Sequence, residues 1–307
     1  MDFTIELKGS ISFDKVNYLL QKLTYNISVP IIHLDLTNVT FMDTAGMTLL
    51  TAYLNYMRNA SIKAGKEIRF FTTRPNSDDV HRYLLRMNFY ENIGIDLDRD
   101  FKARDGSGNF KEVLIIQNER ESNSVSEELI KILENQTKID DVFLRILRYS
   151  VTEIAENIFH HANSPIGGVV CAQTYPDAQK VQISIIDTGM GIPHNIRTIS
   201  GYEKFDDKTA LEKAVQLRVT STPERNSGQG LFFSSQITVL NGGAFTIHSL
   251  NGSICMNQKS GPVLKASPLW HGTAVIFELP MNLNFSLKQL MDKYYPPDND
   301  FKFIKEI

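Results

Sequence analysis

Apolar residues recur along this chain at two different spacings, and the changes from one to the other divide it into elements. Phe3-Thr-Ile-Glu-Leu-Lys alternates apolar with polar and is punctuated by Gly9-Ser, which predicts a first strand. Over residues 14–23 the period lengthens, and Val16, Leu19, Leu20 and Leu23 share one face of a short helix. Pro30-Ile-Ile-His-Leu-Asp-Leu-Thr is largely apolar, as suits a buried parallel strand. A loop over 38–46 leads to a helix from Met47 through Leu54 to Ala64, a strand at Glu67–Phe71 and a helix over 78–87. Strands alternating with helices in this way predict a small mixed sheet covered by helices.

The charged, glycine-containing segment 96–109 has little to bury and reads as a boundary. Past it, Lys111–Gln117 predicts a strand, and Ser124 with Glu127 resembles a capping box opening a helix to Asn135. Leu144, Leu147, Val151, Ile154 and Ile158 then step by three and four, one face of a long helix over 140–161. Two strands follow, 167–175 and 180–186, joined by a turn at Pro176-Asp-Ala. A helix is expected over 209–217 and another after Gly230, and strands at 243–248 and 272–279 pair around a loop. The class is therefore mixed α/β (α+β), divided as residues 1–100, residues 106–283 and a tail over 284–307 with one amphipathic stretch.

With 307 residues, 42% of them hydrophobic and 22% charged, the chain is long enough for two cores. A net charge of −3 without a basic stripe argues against nucleic acid as a partner. Cys171 and Cys255 provide neither a disulfide framework nor metal spacing, which fits a reducing cytosol. The first residues have no basic and apolar leader pattern, and no run approaches the ~18 apolar residues of a membrane span. A cytoplasmic protein is expected, without secretion or membrane insertion.

Candidate chemistry gathers between residues 153 and 273. Glu153 and Asn157 lie one above the other on a helix flank beside the apolar stripe. A carboxylate there can act as general base on water, and an amide oxygen one turn on is a hard ligand for Mg²⁺. A solvated helix flank is the plainer alternative. Of His160 and His161, which diverge by about 100° on a helix, His161 is placed to line the site, and His160 is expected to be a satisfied surface or packing residue. Asp187 shares a side with Val181, Ile183 and Ile185 as its strand ends, where a carboxylate beside apolar surface needs a donor such as the amine of adenine. Gly189 and Gly191 let the backbone approach a ligand. The long connector 194–226 has the length of a binding loop or lid. Gly228-Gln-Gly-Leu231 opens a helix whose free N–H groups form a phosphate cradle, although a plain helix start would look alike. Thr273 sits where a hydroxyl could assist Asp187.

As an ordered set, E-x-x-x-N, D-x-G-x-G, G-x-G-L and G-T resemble the GHKL ATPases of gyrase, the heat-shock chaperone, histidine kinases and mismatch repair, across residues 106–282. The resemblance implies a Bergerat-type α/β sandwich that binds ATP and Mg²⁺. It assigns Glu153 as catalytic base, Asn157 as Mg²⁺ ligand, Asp187 as adenine contact, and Gly228 and Gly230 as the lid-end phosphate loop. No Walker lysine loop is present, which excludes the P-loop class.

Residues 1–98 resemble a STAS domain, the fold of anti-sigma-factor antagonists, on Leu34-Asp-Leu-Thr-Asn-Val-Thr-Phe-Met-Asp-Thr-Ala-Gly46. Thr44 falls at that family's phosphorylated position, and Ala45 replaces the second hydroxyl. Asp43 and Thr44 also read as a helix cap. The pairing looks like an antagonist fused to an anti-sigma kinase, which implies a protein partner for the STAS-like half. Two readings stand: an ATPase or serine/threonine kinase, and a non-catalytic, nucleotide-gated interaction module such as a homodimer.

Overall fold

A computed structural model describes residues 2–95, 110–136, 148, 151–221 and 228–281. Leu144 and Leu147, the boundary segment and the tail from Asn284 lie outside the described residues. Strands β1 (Phe3–Ile11), β2 (Ile31–Met42) and β3 (Arg69–Thr73) form one parallel sheet in that order. Strands β4 (Phe110–Ile116), β5 (Gly168–Tyr175), β6 (Lys180–Asp187), β7 (Ala244–Asn257) and β8 (Gly261–Pro280) form a second, antiparallel sheet, ordered β4-β5-β6-β8-β7. The class is mixed α/β, with one sheet of each kind.

Helix α1 (Val16–Gln21) joins β1 to β2, and α2 (Thr44–Lys63) follows β2. The second half of the predicted loop is strand: Val39 and Met42 point into the core while Thr40 and Phe41 face out, so β2 continues to Met42. Helix α2 then starts at Thr44, earlier than Met47, because Asp43 caps it by accepting from the Gly46 N–H at 3.1 Å. Every residue from Thr44 to Leu54 is buried, as in a helix covered on all sides. One side meets the parallel sheet and the other lies on β5 and β6.

The larger hydrophobic cores of the described residues do not follow the chain boundary. Ile5, Leu34, Leu50 and Met57 share a cluster with Val169, Cys171, Ile186, Trp270 and Ile276. The reason is the two-sided sheet: Ile186 faces α2, whereas its neighbour Ile185 faces the opposite layer. Hydrogen bonds accompany this packing. Gln182 Nε2 donates to Asp43 Oδ2 at 2.9 Å, and its Oε1 accepts from the Thr44 amide and hydroxyl. Thr44 is thus fully buried, its hydroxyl engaged, at the first turn of a helix that Asp43 caps.

On the far face lie α5 (Glu119–Gln136), a helical stretch at 151–157 (α6), α8 (Asp207–Ala214) and α9 (Gly230–Leu240); short α3 (Asp78–Arg86), α4 (Phe89–Asn92) and α7 (Ile192–Ile196) complete the chain. Helix α5 begins five residues before the predicted cap at Ser124. Asn118 accepts from the Glu121 N–H at 3.0 Å while the Glu121 carboxylate accepts from the Gln117 amide and the Asn118 side chain. The capping-box chemistry is present, one turn and a half upstream. Strands β7 and β8 run well beyond the predicted segments as one long hairpin turning at 258–260.

Candidate functional site

A cleft of about 810 Å³, counting the open space at its mouth, lies between α6, the end of β6 and the start of α9. Asn157, His161, Asp187, Gly191, Gly228, Gly230, Leu231 and Thr273 all line it. Two predicted residues do not. Glu153 stands just behind, where a methyl on Gly230 would meet its Cβ at 2.6 Å and its Oε2 at 3.2 Å, and Gly189 has a structural task.

Past Asn157 the helix widens into a π turn, Ile158–Ala162, ended by Asn163 in the left-handed conformation. Such turns re-aim side chains and expose carbonyls. The Ala162 carbonyl accepts from the Met190 N–H at 2.7 Å, tying the turn after β6 to the end of this helix. A methyl on Gly189 would lie 1.9 Å from that carbonyl oxygen. Gly189→Ala should therefore lower stability by about 1–3 kcal/mol, as overpacking does; a thermal melt unchanged from the parent would contradict this contact. His161 lines the cleft, while His160 faces outward and pairs with Glu119 at 3.0 Å.

Asp187 is 5% exposed at the base of the cleft. Its Oδ1 accepts from the Gly189 N–H at 2.7 Å, and the Thr273 N–H also donates to the carboxyl. Among the described residues no cation offsets its burial, which pushes its pKa up from 3.8 to about 7. The Asp187 carbonyl is held separately, by the Trp270 indole N–H at 3.2 Å.

Sequence reasoning did not find Ser249 or Asn195. Buried Ser249 accepts from the Ile192 N–H at 3.0 Å and donates to the Gly272 carbonyl at 2.6 Å, joining the glycine turn to β8. Asn195 lines the cleft and donates to the His161 carbonyl at 3.1 Å. Neither carries a sequence signal, because a serine in a strand and an asparagine in a short helix are unremarkable until their partners are placed. Ile154, Ile158, Ile185, Ile192 and Val275 provide apolar walls, and Val219, Thr220 and Ser221 bring the connector against the cavity. Residues 222–227 of that connector lie outside the described residues.

The arrangement is amphipathic along its length. Its lining combines a buried carboxylate, apolar side chains, and glycine backbone at the start of α9. Among the described residues no cluster of three or more His, Cys, Asp or Glu forms a metal cage. Asn157 and nearby Glu153 offer hard oxygen donors, which suit Mg²⁺ when a bound anion and water complete its shell. Cys171 and Cys255 are free thiols, and no described helix is long and apolar enough to cross a membrane. Scanned against models of known families the chain matches none, and its sequence matches no curated protein.

Proposed function

We propose that the cleft binds Mg·ATP and that the chain is an ATPase or protein serine/threonine kinase of the GHKL type, coupled to a STAS-like half that meets a protein partner. The observation that carries the reading is Asp187: a buried carboxylate with no cation beside it among the described residues, in a cleft that it lines together with apolar side chains and with Gly228 and Gly230. Its open acceptor suits the exocyclic amine of adenine, and the start of α9 suits phosphate oxygens. An antiparallel sheet with helices on its cleft face supports a Bergerat-type sandwich, and the parallel sheet β1-β2-β3 with α2 supports a STAS-like unit.

In this reading Asn157 would hold Mg²⁺, which would supply positive charge to offset the phosphates, and Glu153 would orient or deprotonate the attacking water or hydroxyl. Thr44 is enclosed on the face of the sheet opposite the cleft, so its hydroxyl is out of reach of a nucleotide bound there. Glu153 standing behind the lining favours the second reading, a non-catalytic module in which nucleotide orders the connector and shifts a partner equilibrium.

Titration calorimetry with Mg·ATP, followed by assays for released phosphate and labelled protein, separates the two. Glu153→Ala is expected to remove turnover while leaving the ATP dissociation constant within about threefold, as for a group acting mainly in the transition state. Binding without turnover in the parent leaves the interaction module; no binding heat ends both.

A further inference from the structure

We infer that His271, gripped by Tyr25 and Tyr56 of the N-terminal half, is a positioning residue for the purine end of the cleft, so that recognition of the base depends on an aromatic contact outside the cavity. The inference rests on the nucleotide reading above and names how that site is held. Pairing of β7 with β8 slips between Ser249, which faces Thr273, and Leu250, which faces Trp270. His271 and Gly272 are therefore a bulge without strand partners, a device that re-aims neighbouring groups next to sites.

Both residues flanking this bulge touch Asp187. Trp270 donates to its carbonyl and Thr273 donates its N–H to its carboxyl. Gly272, at φ +105°, passes so close that a methyl there would lie 2.3 Å from the Asp187 carbonyl oxygen. Any shift of the bulge thus moves the acceptor that faces the base.

The bulge is fixed from the other side. The His271 ring stacks on Tyr56 with centroids 5.3 Å apart and an 11° interplanar angle, and meets Tyr25 edge-on at 4.3 Å. Tyr25 in turn packs edge-on against Tyr53 and Tyr56, each at 5.7 Å, and the Tyr53 hydroxyl donates to the Thr24 carbonyl at 2.6 Å. Two tyrosines, Tyr56 of α2 and Tyr25 of the segment before β2, hold one ring of β8, and Tyr53 braces Tyr25. These contacts are directional, which is what fixing a bulge requires.

The test compares two ligands, Mg·ATP and the Mg complex of purine riboside triphosphate, which lacks the 6-amino group. Tyr56→Leu and His271→Leu should reduce the preference for ATP by roughly three- to tenfold, the span of an aromatic pair. Tyr56→Phe keeps the ring and should keep the preference. A second arm follows hydrogen exchange of the Thr273 amide in nucleotide-free protein, where both leucine variants should exchange faster than the parent. Equal weakening of both ligands, or unchanged exchange at Thr273, overturns the inference. If the parent binds neither ligand, the nucleotide reading is what fails, and faster or unchanged exchange alone decides for or against the grip on the bulge.

Discussion

Asp187→Asn should weaken ATP binding about a hundredfold, the loss of one hydrogen bond to a charged acceptor, and yet make the empty protein more stable at pH 8. The asparagine oxygen must stay on the Gly189 N–H that Asp187 Oδ1 now accepts, which turns the side-chain NH₂ toward the cleft. A donor then faces the donor amine of the base. Stability moves the other way because the carboxyl, raised by burial from 3.8 to about 7, resists ionising in the fold. Below about pH 4 folded and unfolded chains both hold the proton and no penalty exists. Between there and about pH 7 only the unfolded chain releases it, so stability falls as pH rises. At 1.36 kcal/mol for each pH unit between the two values, the penalty reaches roughly 4 kcal/mol above neutrality. Asparagine carries none of it. Urea unfolding at pH 5 and pH 8, beside calorimetry with ATP, checks both halves; parental affinity in the variant, or no stabilisation at pH 8, would show that Asp187 is neither the base contact nor a strained acid.

The second large effect is structural. Gln182→Leu should cost roughly 3 kcal/mol, because buried groups left without partners cost about 1–3 kcal/mol each. The Gln182 amide makes four hydrogen bonds: Oε1 accepts from the Thr44 N–H and hydroxyl, and Nε2 donates to Asp43 and Glu278. Leucine fills the volume but takes the acceptor from the Thr44 N–H, leaves the Thr44 hydroxyl with only Ser184 Oγ at 2.9 Å, and removes a donor from the Asp43 carboxylate, whose pKa burial already raises. Adding Thr44→Val to Gln182→Leu should cost less than the sum of the two single changes, as for residues in one network. Additive costs in denaturant unfolding would mean that the amide does not bridge the halves.

Much of the local pattern was legible in the sequence. Strands β5 and β6 and the turn between them follow directly from alternation and Pro176, and the cleft gathers residues from four separated motifs. What sequence could not supply was the far side of β6. Gln182 and Ser184 alternate with Val181, Ile183 and Ile185 as an exposed polar face would, but their partner, Thr44, is 138 residues away from Gln182. Polar side chains have the same appearance in a sequence whether water or a buried helix end satisfies them. Local competition accompanies the shifted start of α5: Ser124 with Glu127 offers the same cap chemistry as Asn118 with Glu121, and the structure uses the latter. The bulge at His271 likewise needs two strands in register before it can be recognised as an interruption.

Trp270 is the only tryptophan in the chain, and its indole N–H is bonded to the carbonyl of Asp187. Light absorbed at the red edge, where tyrosine is transparent, is therefore re-emitted from one ring attached to the floor of the cleft. The colour of that emission tracks the polarity and hydrogen bonding of one carbonyl, giving an unlabelled optical gauge that can follow occupancy in real time.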